Sequence, residues 1–152
     1  MISKKTKYAL NALIYLAQHQ QEGPVLISAI AQSERIPQKF LEQILLDLKN
    51  NGILQSKKGK GGGYFLGRPA HEIILGKVIR TFDGPLAPVS CVSQTAYRKC
   101  EECRDDQSCC GIQMVMKDVR EAISNILDKT SLADMIAKAK NAKEKLATNF
   151  QI

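Results

Sequence analysis

The chain has 152 residues, 44% of them hydrophobic, which is enough for one compact domain with an appended element and too little for two independent cores. The formal net charge is +7 and unevenly spread: residues 1–68 carry ten Lys/Arg against four Asp/Glu, whereas residues 69–152 carry twelve against eleven. That excess points to a polyanionic partner for the first half, and the lack of any apolar run of about 18 residues argues against a membrane span.

Near the start, Lys4, Lys5 and Lys7 precede an apolar-rich run from Ala9 to Ala17, an arrangement that imitates a secretory signal. Asn11 interrupts the run, and Gln18, His19, Gln20 and Gln21 follow it where small cleavage-site residues belong. The segment is therefore read as an amphipathic helix of a cytoplasmic protein, from about Lys5 to His19. Tyr8, Leu10, Leu13, Ile14 and Leu16 supply its apolar face. Gly23-Pro24 ends it. Ser28 is expected to cap a short second helix carrying Ile30 and Ala31, and Ser33-Glu34-Arg35 to turn toward Pro37. Pro37 fits the first turn of a third helix running to about Asn50, with Phe40, Leu41, Ile44, Leu45 and Leu48 at helical spacing and Gly52 at its C-terminal cap.

Ile53 to Ser56 and Tyr64 to Leu66 read as two short strands around the basic, glycine-rich turn Lys57 to Gly63. A hairpin directly after a helix pair is a wing. A further helix is predicted from about Leu75 to Phe82, ended by Asp83-Gly84-Pro85. From Pro85 to Gly111 the chain is polar, cysteine-rich and without periodicity, so it is read as a loop organised by whatever its thiols bind. Beyond it, Ile112, Val115, Met116, Val119, Ile123, Ile126 and Leu127 recur at three- and four-residue steps. Such a helix is longer than this domain needs for its own core, and a symmetric second copy would cover its stripe. Ser131 and Asp134 resemble a capping pair for a last helix, and the Ala/Lys-rich tail from Ala137 to Ala147 is expected to fray.

The expected architecture is mainly α with a small β-hairpin wing: a winged helix-turn-helix over 1–84, a cysteine-rich sensor loop over 85–111, a dimerisation helix over 112–129, and a short C-terminal helix with a mobile tail over 130–152. In a helix-turn-helix the second helix enters the major groove, with its N-terminal residues over base edges. Here those residues are Gln38, Lys39, Glu42 and Gln43. Gln can pair with adenine, Glu can accept from cytosine, and Lys favours guanine or a phosphate. In the wing, Lys57, Lys58 and Lys60 lie among glycines, Gly61 and Gly62 included, which let the backbone approach a sugar-phosphate chain. Lys4, Lys5, Lys7 and Arg35 are further candidates for phosphate contacts. Neither a Walker-type loop nor a strand, G-x-G-x-x-G and helix is found, which argues against nucleotide binding. His19 and His71 are the only histidines and neither sits near a nucleophile-and-base pattern, which argues against an enzyme.

All five cysteines lie between positions 91 and 110, in the order Cys91, Cys100, Cys103, Cys109, Cys110. A C-x-x-C step brings two thiolates to one metal, and further thiolates in a flexible loop complete a site for zinc or an iron–sulfur cluster. Cys91, Cys100, Cys103 and Cys110 are the expected ligands, with Cys109 as a substitute for Cys110, since two adjacent cysteines strain to reach one ion. A thiol switch, such as a Cys91 to Cys103 disulfide, stays open. So does a zinc-stapled protein-interaction module. Lys99 and Arg104 would lower nearby thiol pKa values, and Glu101, Glu102, Asp105 and Asp106 oppose them.

The start Lys7-Tyr8-Ala9-Leu10, the segments Phe40-Leu41-Glu42-Gln43-Ile44-Leu45 and Lys49-Asn50-Asn51-Gly52-Ile53-Leu54, the wing Gly61-Gly62-Gly63-Tyr64-Phe65-Leu66 and the cysteine loop before a long helix together resemble the Rrf-two family of bacterial regulators, over about residues 1–135. The resemblance implies a homodimer on a palindromic DNA operator, with the long helix as dimer interface and a sulfur-ligated [2Fe–2S] or [4Fe–4S] cluster controlling the DNA-binding form. It places Cys91 and Cys110 as first and last ligands, with Cys100 or Cys103 between. The chain departs from the pattern in its longer loop and extra thiols. Gln113 stands where some relatives supply a histidine ligand, and Lys7 and Asn11 stand where others supply one from the first helix.

Overall fold

The computed structural model describes residues 2–103 and 109–151. Among them the chain forms α1 (Lys4–Gln18), α2 (Ile27–Glu34), α3 (Gln38–Asn50), β1 (Leu54–Lys57), β2 (Gly63–Leu66), α4 (Leu75–Asp83), α5 (Gly111–Leu127) and α6 (Leu132–Asn149). Helix α1 begins where Ser3 accepts a hydrogen bond from the Thr6 amide, and its Ala9, Ala12, Leu13 and Leu16 are buried. They pack with Ile30 of α2, with Leu41, Ile44, Leu45 and Leu48 of α3, and with Leu54 and Leu66 of the hairpin in one core. The run that imitates a signal sequence is thus a central element of the fold.

Three boundaries differ from the sequence-based expectation. Leu26, with no side-chain cap, precedes α2, so Ser28 lies inside the helix and does not cap it. The reason is the neighbouring Val25, whose N–H and C=O exchange 2.8 Å bonds with Tyr64 and hold it as a third rung beside the hairpin. Pro37 is the residue before α3, not its first, although its carbonyl accepts from Phe40 and Leu41. The strands each extend by one residue into the expected turn, so that Lys57 faces Gly63 in an antiparallel register that pairs Leu54 with Leu66.

Gly52 ends α3 as expected. It takes φ 70°, its N–H donates to Lys49 and the next N–H, of Ile53, reaches back to Leu48. This double closure with buried Leu48 and Ile53 in contact range of one core is a Schellman cap. The C-terminal region is the larger correction. The short helix and fraying tail are replaced by α6, an 18-residue helix that opens on a capping box between Ser131 and Asp134. Its start belongs to the first domain: Leu132 is fully buried in the core, and residues 130–132 bond to 73–75 through Leu75 N–H to Thr130 and Leu132 N–H to Ile73. The start of α6 is therefore packed into the winged helix, while residues 137–151 are exposed.

Helix α5 has no buried residue. It is attached at both ends by polar contacts. Gln113 Nε2 donates to the Cys91 carbonyl at 3.2 Å, and Arg120 donates to the Val92 carbonyl at 2.9 Å. At the far end Arg80 of α4 grips both oxygens of Asp128, at 2.6 and 2.9 Å. No described helix is long and apolar enough to cross a membrane.

Candidate nucleic-acid interface and metal centre

Helix α3 is amphipathic for a plain reason: Leu41, Ile44, Leu45 and Leu48 repeat at three and four residues and are buried. The opposite face is centred on Lys39, Gln43, Leu46 and Asn50, all exposed. One edge of that face, with Glu42 and Lys49, borders the wing: Lys49 Nζ donates to Ser56 of β1 at 2.7 Å. The other edge, with Phe40 and Asp47, borders the start of α1. There Lys5 Nζ bonds Asp47 Oδ2 at 2.9 Å, and Gln43 Nε2 bonds Asp47 Oδ1 at 2.9 Å. The Lys5 hydrogen bond is the main reason the Asp47 carboxyl is held below its usual pKa.

The four expected base-reading residues are all exposed on this surface: Gln38, Lys39, Glu42 and Gln43. Gln43 is oriented by Asp47 with one amide hydrogen committed. Of the lysines of α1 expected to meet phosphates, Lys5 is committed to Asp47, and Lys4 and Lys7 are exposed. Arg35 is exposed at the turn between α2 and α3, in a left-handed conformation with φ 54°.

In the wing, Lys57, Lys58, Lys60 and Gly61 are exposed, while Gly62 is buried. Its N–H donates to Gly59 at 3.0 Å, and a Cβ there would run into the Lys57 and Gly59 carbonyls. Gly63, at φ 147°, is held tighter still, since a Cβ would strike the backbone of Val25. These two glycines therefore close the hairpin onto itself and onto Val25, whereas Gly61 is open to an approaching backbone. Sequence reasoning missed Val25; the β-branched residue just after Gly23-Pro24 was the available signal.

The five thiols line one cavity of about 590 Å³ together with Ser90, Glu102 and Gln113. None of them forms a disulfide. Cys103 is hydrogen-bonded to Cys100 and to Cys110, and these bonds first, with some burial, push its thiol up to about 12. Cys110 moves the other way. It immediately precedes α5, and the Gln113 amide, then Cys103 and the Ile112 amide, lower it against a smaller opposing effect of burial. Cys91 joins the cavity from the turn Ser90–Val92, and Cys109 is the most exposed of the five. Of the charges expected to tune the thiols, Arg104, Asp105 and Asp106 lie outside the described residues. Gln113, at the position of a histidine ligand in some relatives, spends its amide on the Cys91 carbonyl.

Among the described residues no group of three or more His, Cys, Asp or Glu side chains converges tightly enough to enclose a single metal ion. The donor set nevertheless suits a sulfur-ligated group: five thiols around one cavity and no histidine on its wall. A polynuclear cluster takes its thiolates at a wider spread than one tetrahedral ion does.

A helix-turn-helix with an exposed polar second helix, followed by a basic glycine hairpin, defines the chain as a DNA-binding transcription regulator of the winged-helix class. The family model described as an iron-dependent transcriptional regulator, Rrf2, matches residues 2–138. The chain belongs to the Rrf-two family. It is 38% identical over 140 residues to an Rrf2-like helix-turn-helix transcriptional regulator of Rhodobacter capsulatus, covering 90% of this chain and 93% of that one. It is 33% identical over 135 residues to the regulator IscR of Serratia proteamaculans, covering 89% and 78%. Its fold is similar to that of CymR, the global cysteine regulator of Bacillus subtilis, with a TM-score of 0.74 and 31% identity over 91% of this chain and 97% of that one.

Proposed function

We propose that the protein is a homodimeric regulator that grips a palindromic operator with α3 and the wing, and that a cysteine-ligated iron–sulfur cluster adjusts this grip. The observation that carries the sensor reading is the gathering of Cys91, Cys100, Cys103, Cys109 and Cys110 on the wall of one cavity at the start of α5. Cys91, Cys100, Cys103 and Cys110 would hold the cluster, with Cys109 able to replace Cys110. When bound, such a group supplies a redox- and iron-responsive charge whose loss frees its thiolates.

The chain's own residues relate that centre to the DNA surface. Cys110 immediately precedes α5 and its carbonyl accepts from Met114 N–H, Gln113 and Arg120 tie α5 to the Cys91 turn, and Arg80–Asp128 ties its end to α4. Asp83 at the end of α4 accepts from Ser3 N–H at 2.9 Å and Thr6 Oγ1 at 2.7 Å, joining α4 to α1, whose Lys5 holds Asp47 of α3. The continuity of the α3 face into β1 through Lys49 and Ser56 supports one duplex touching both α3 and the wing. On α5, Ile112, Val115, Val119, Ala122 and Ile126 are exposed at alternating three- and four-residue steps, which is the spacing of a two-helix seam. A second copy placed there would cover it and set two α3 helices for two half-sites.

A cluster-free thiol- or zinc-dependent regulator is the second reading, favoured by the direct Cys103–Cys110 contact. Anaerobic purification followed by a visible absorption spectrum and metal analysis separates the two. Iron and acid-labile sulfide in the protein, with a coloured visible absorption, support the first. A colourless protein that is zinc-loaded or metal-free overturns it.

A further inference from the structure

Two apolar residues of α3 stand in the open, Phe40 at 42% exposed and Leu46 at 43%. The sequence spacing assigns Phe40 to the buried face, yet it sits at the edge of that face, in the first turn of the helix. Its ring meets Tyr8 of α1 edge-on, with centroids 5.8 Å apart and planes at 81°. Tyr8 is half-buried against the core, so it is a fixed wall. Lys4 carries its ammonium 5.6 Å from the centroid of the Tyr8 ring. The result is one anchored aromatic edge, flanked by Lys39 and Gln43 on its own helix and by Lys4 across the gap.

We propose that Phe40 is a specificity-determining residue that reads thymine, its exposed ring edge seating against the 5-methyl group in the major groove while Lys4 meets a neighbouring phosphate. The proposal rests on the reading of α3 as the DNA-facing helix and adds an apolar contact to the polar set. Thymine is the one base that shows an apolar group on the major-groove floor, and Phe is among the side chains able to pack on it. First-turn residues of the second helix are those that reach base edges. A ring already held by Tyr8 loses little rotamer freedom on docking. A single half-exposed ring ringed by cationic and amide groups is too small for a protein-docking patch, and it matches the chemistry of a groove, where a methyl lies near a phosphate wall. Leu46 is as exposed but lies two turns further along α3, beside no aromatic wall.

The test uses the full-length protein and an operator enriched by it from a random pool. Each thymine is replaced singly by uracil, which removes only the methyl group. One position per half-site is expected to lose about fourfold in affinity, the factor for one buried methyl group. Phe40→Ala abolishes the thymine–uracil difference, and Leu46→Ala leaves it intact. Should Phe40→Ala not fold, Phe40→Leu, which keeps an apolar but shorter side chain, shrinks the difference, and a thymine–uracil difference left unchanged by Phe40→Leu overturns the proposal. An operator with no uracil-sensitive position overturns the proposal, as does a sensitivity that survives Phe40→Ala or is lost with Leu46→Ala. A pool that enriches no sequence at all overturns instead the DNA-reading assignment of α3 on which the proposal stands.

Discussion

Residues 4–83 and the helix α5 treat their apolar side chains in opposite ways. The first region buries Leu13, Leu16, Ile30, Leu41, Ile44, Leu45, Leu48 and Val78 to 2% exposure or less, and α5 buries nothing, leaving Ile112 at 71% and Ile126 at 65%. Roughly 25 cal/mol for each Å² of apolar area kept from water makes that difference large. A winged helix is complete within one chain. Helix α5 is tied to α4 by the Arg80–Asp128 ion pair and to the Cys91 turn by hydrogen bonds from Gln113 and Arg120, and in the proposed reading a second copy and a bound group would cover its apolar face.

The strongest way to break this contrast is in the core. Leu45→Ala should cost about 2–5 kcal/mol by leaving a cavity among α1, α3 and the hairpin, and the loss should be the same at every protein concentration in a denaturant titration. Val119→Glu on α5 should behave otherwise. It leaves no cavity, but it places a charge on the proposed seam, so the species should become monomeric in sedimentation and operator binding should fall about 100-fold or more as the second half-site is no longer linked to the first. A variant that stays dimeric with unchanged affinity would show that α5 is not the interface, and the comparison between the halves would then rest on the cysteine centre alone.

How far the sequence could be read follows the same division. The core helices and the wing were legible because their apolar residues are spaced for burial within the chain itself, and because glycines such as Gly52 stand where only a left-handed residue closes a helix. Val25 was marked only by its β-branched side chain just after Gly23-Pro24, since a single bridging residue has no periodicity, and it displaced the cap assigned to Ser28. The tail assigned to Ala137–Ala147 fails for a different reason. Alanine and lysine make a weak apolar stripe but are strong helix formers, and the capping box with buried Leu132 nucleates a helix that then runs to Asn149. Among the site residues, Lys5 looks like a surface group in sequence and is drawn inward by Asp47, remote in the chain, whereas Gly62 is enclosed by its own turn, its N–H donating to the Gly59 carbonyl. The cysteines could be grouped by spacing, but their pairing through Cys103 depends on a loop without periodicity.

A smaller effect sharpens the division of labour within the first region. Replacing Lys57, Lys58 and Lys60 together with Ala should weaken binding to all DNA sequences alike, about tenfold at moderate salt, and should lower the slope of log affinity against log salt by about one for each lysine that meets a phosphate. Changing Glu42 to Gln should instead alter which sequence is preferred while leaving that slope nearly unchanged. If the triple variant retains both affinity and slope in a salt-titrated anisotropy measurement, the wing is not a phosphate contact.

The smallest expected effect lies at the joint between the halves. Arg80 donates two hydrogen bonds to Asp128, and these chiefly hold the Asp128 carboxyl below its usual pKa. A carboxyl with a depressed folded-state pKa stabilises the fold above its unfolded value, about 3.9, and that contribution is lost as pH falls through the folded value. With side chains 35% and 41% exposed, solvent screening limits the pair to about 0.5–1 kcal/mol. Asp128→Asn should therefore lower Tm at pH 7 by about 1–4 °C, and the difference between the two proteins should narrow as pH falls below about 3.9 and through the lowered folded value, even though both lose stability there, because Asp47, Asp83 and Asp134 are also held low. Gly76→Ala offers an independent check, since a Cβ at Gly76 would strike the Asp128 carboxylate and push it off Arg80 without removing its charge. A matching, pH-dependent loss in both variants assigns the effect to the joint; a Tm difference that persists unchanged to pH 3 would show that the Asp128 carboxylate contributes through something other than its ion pair.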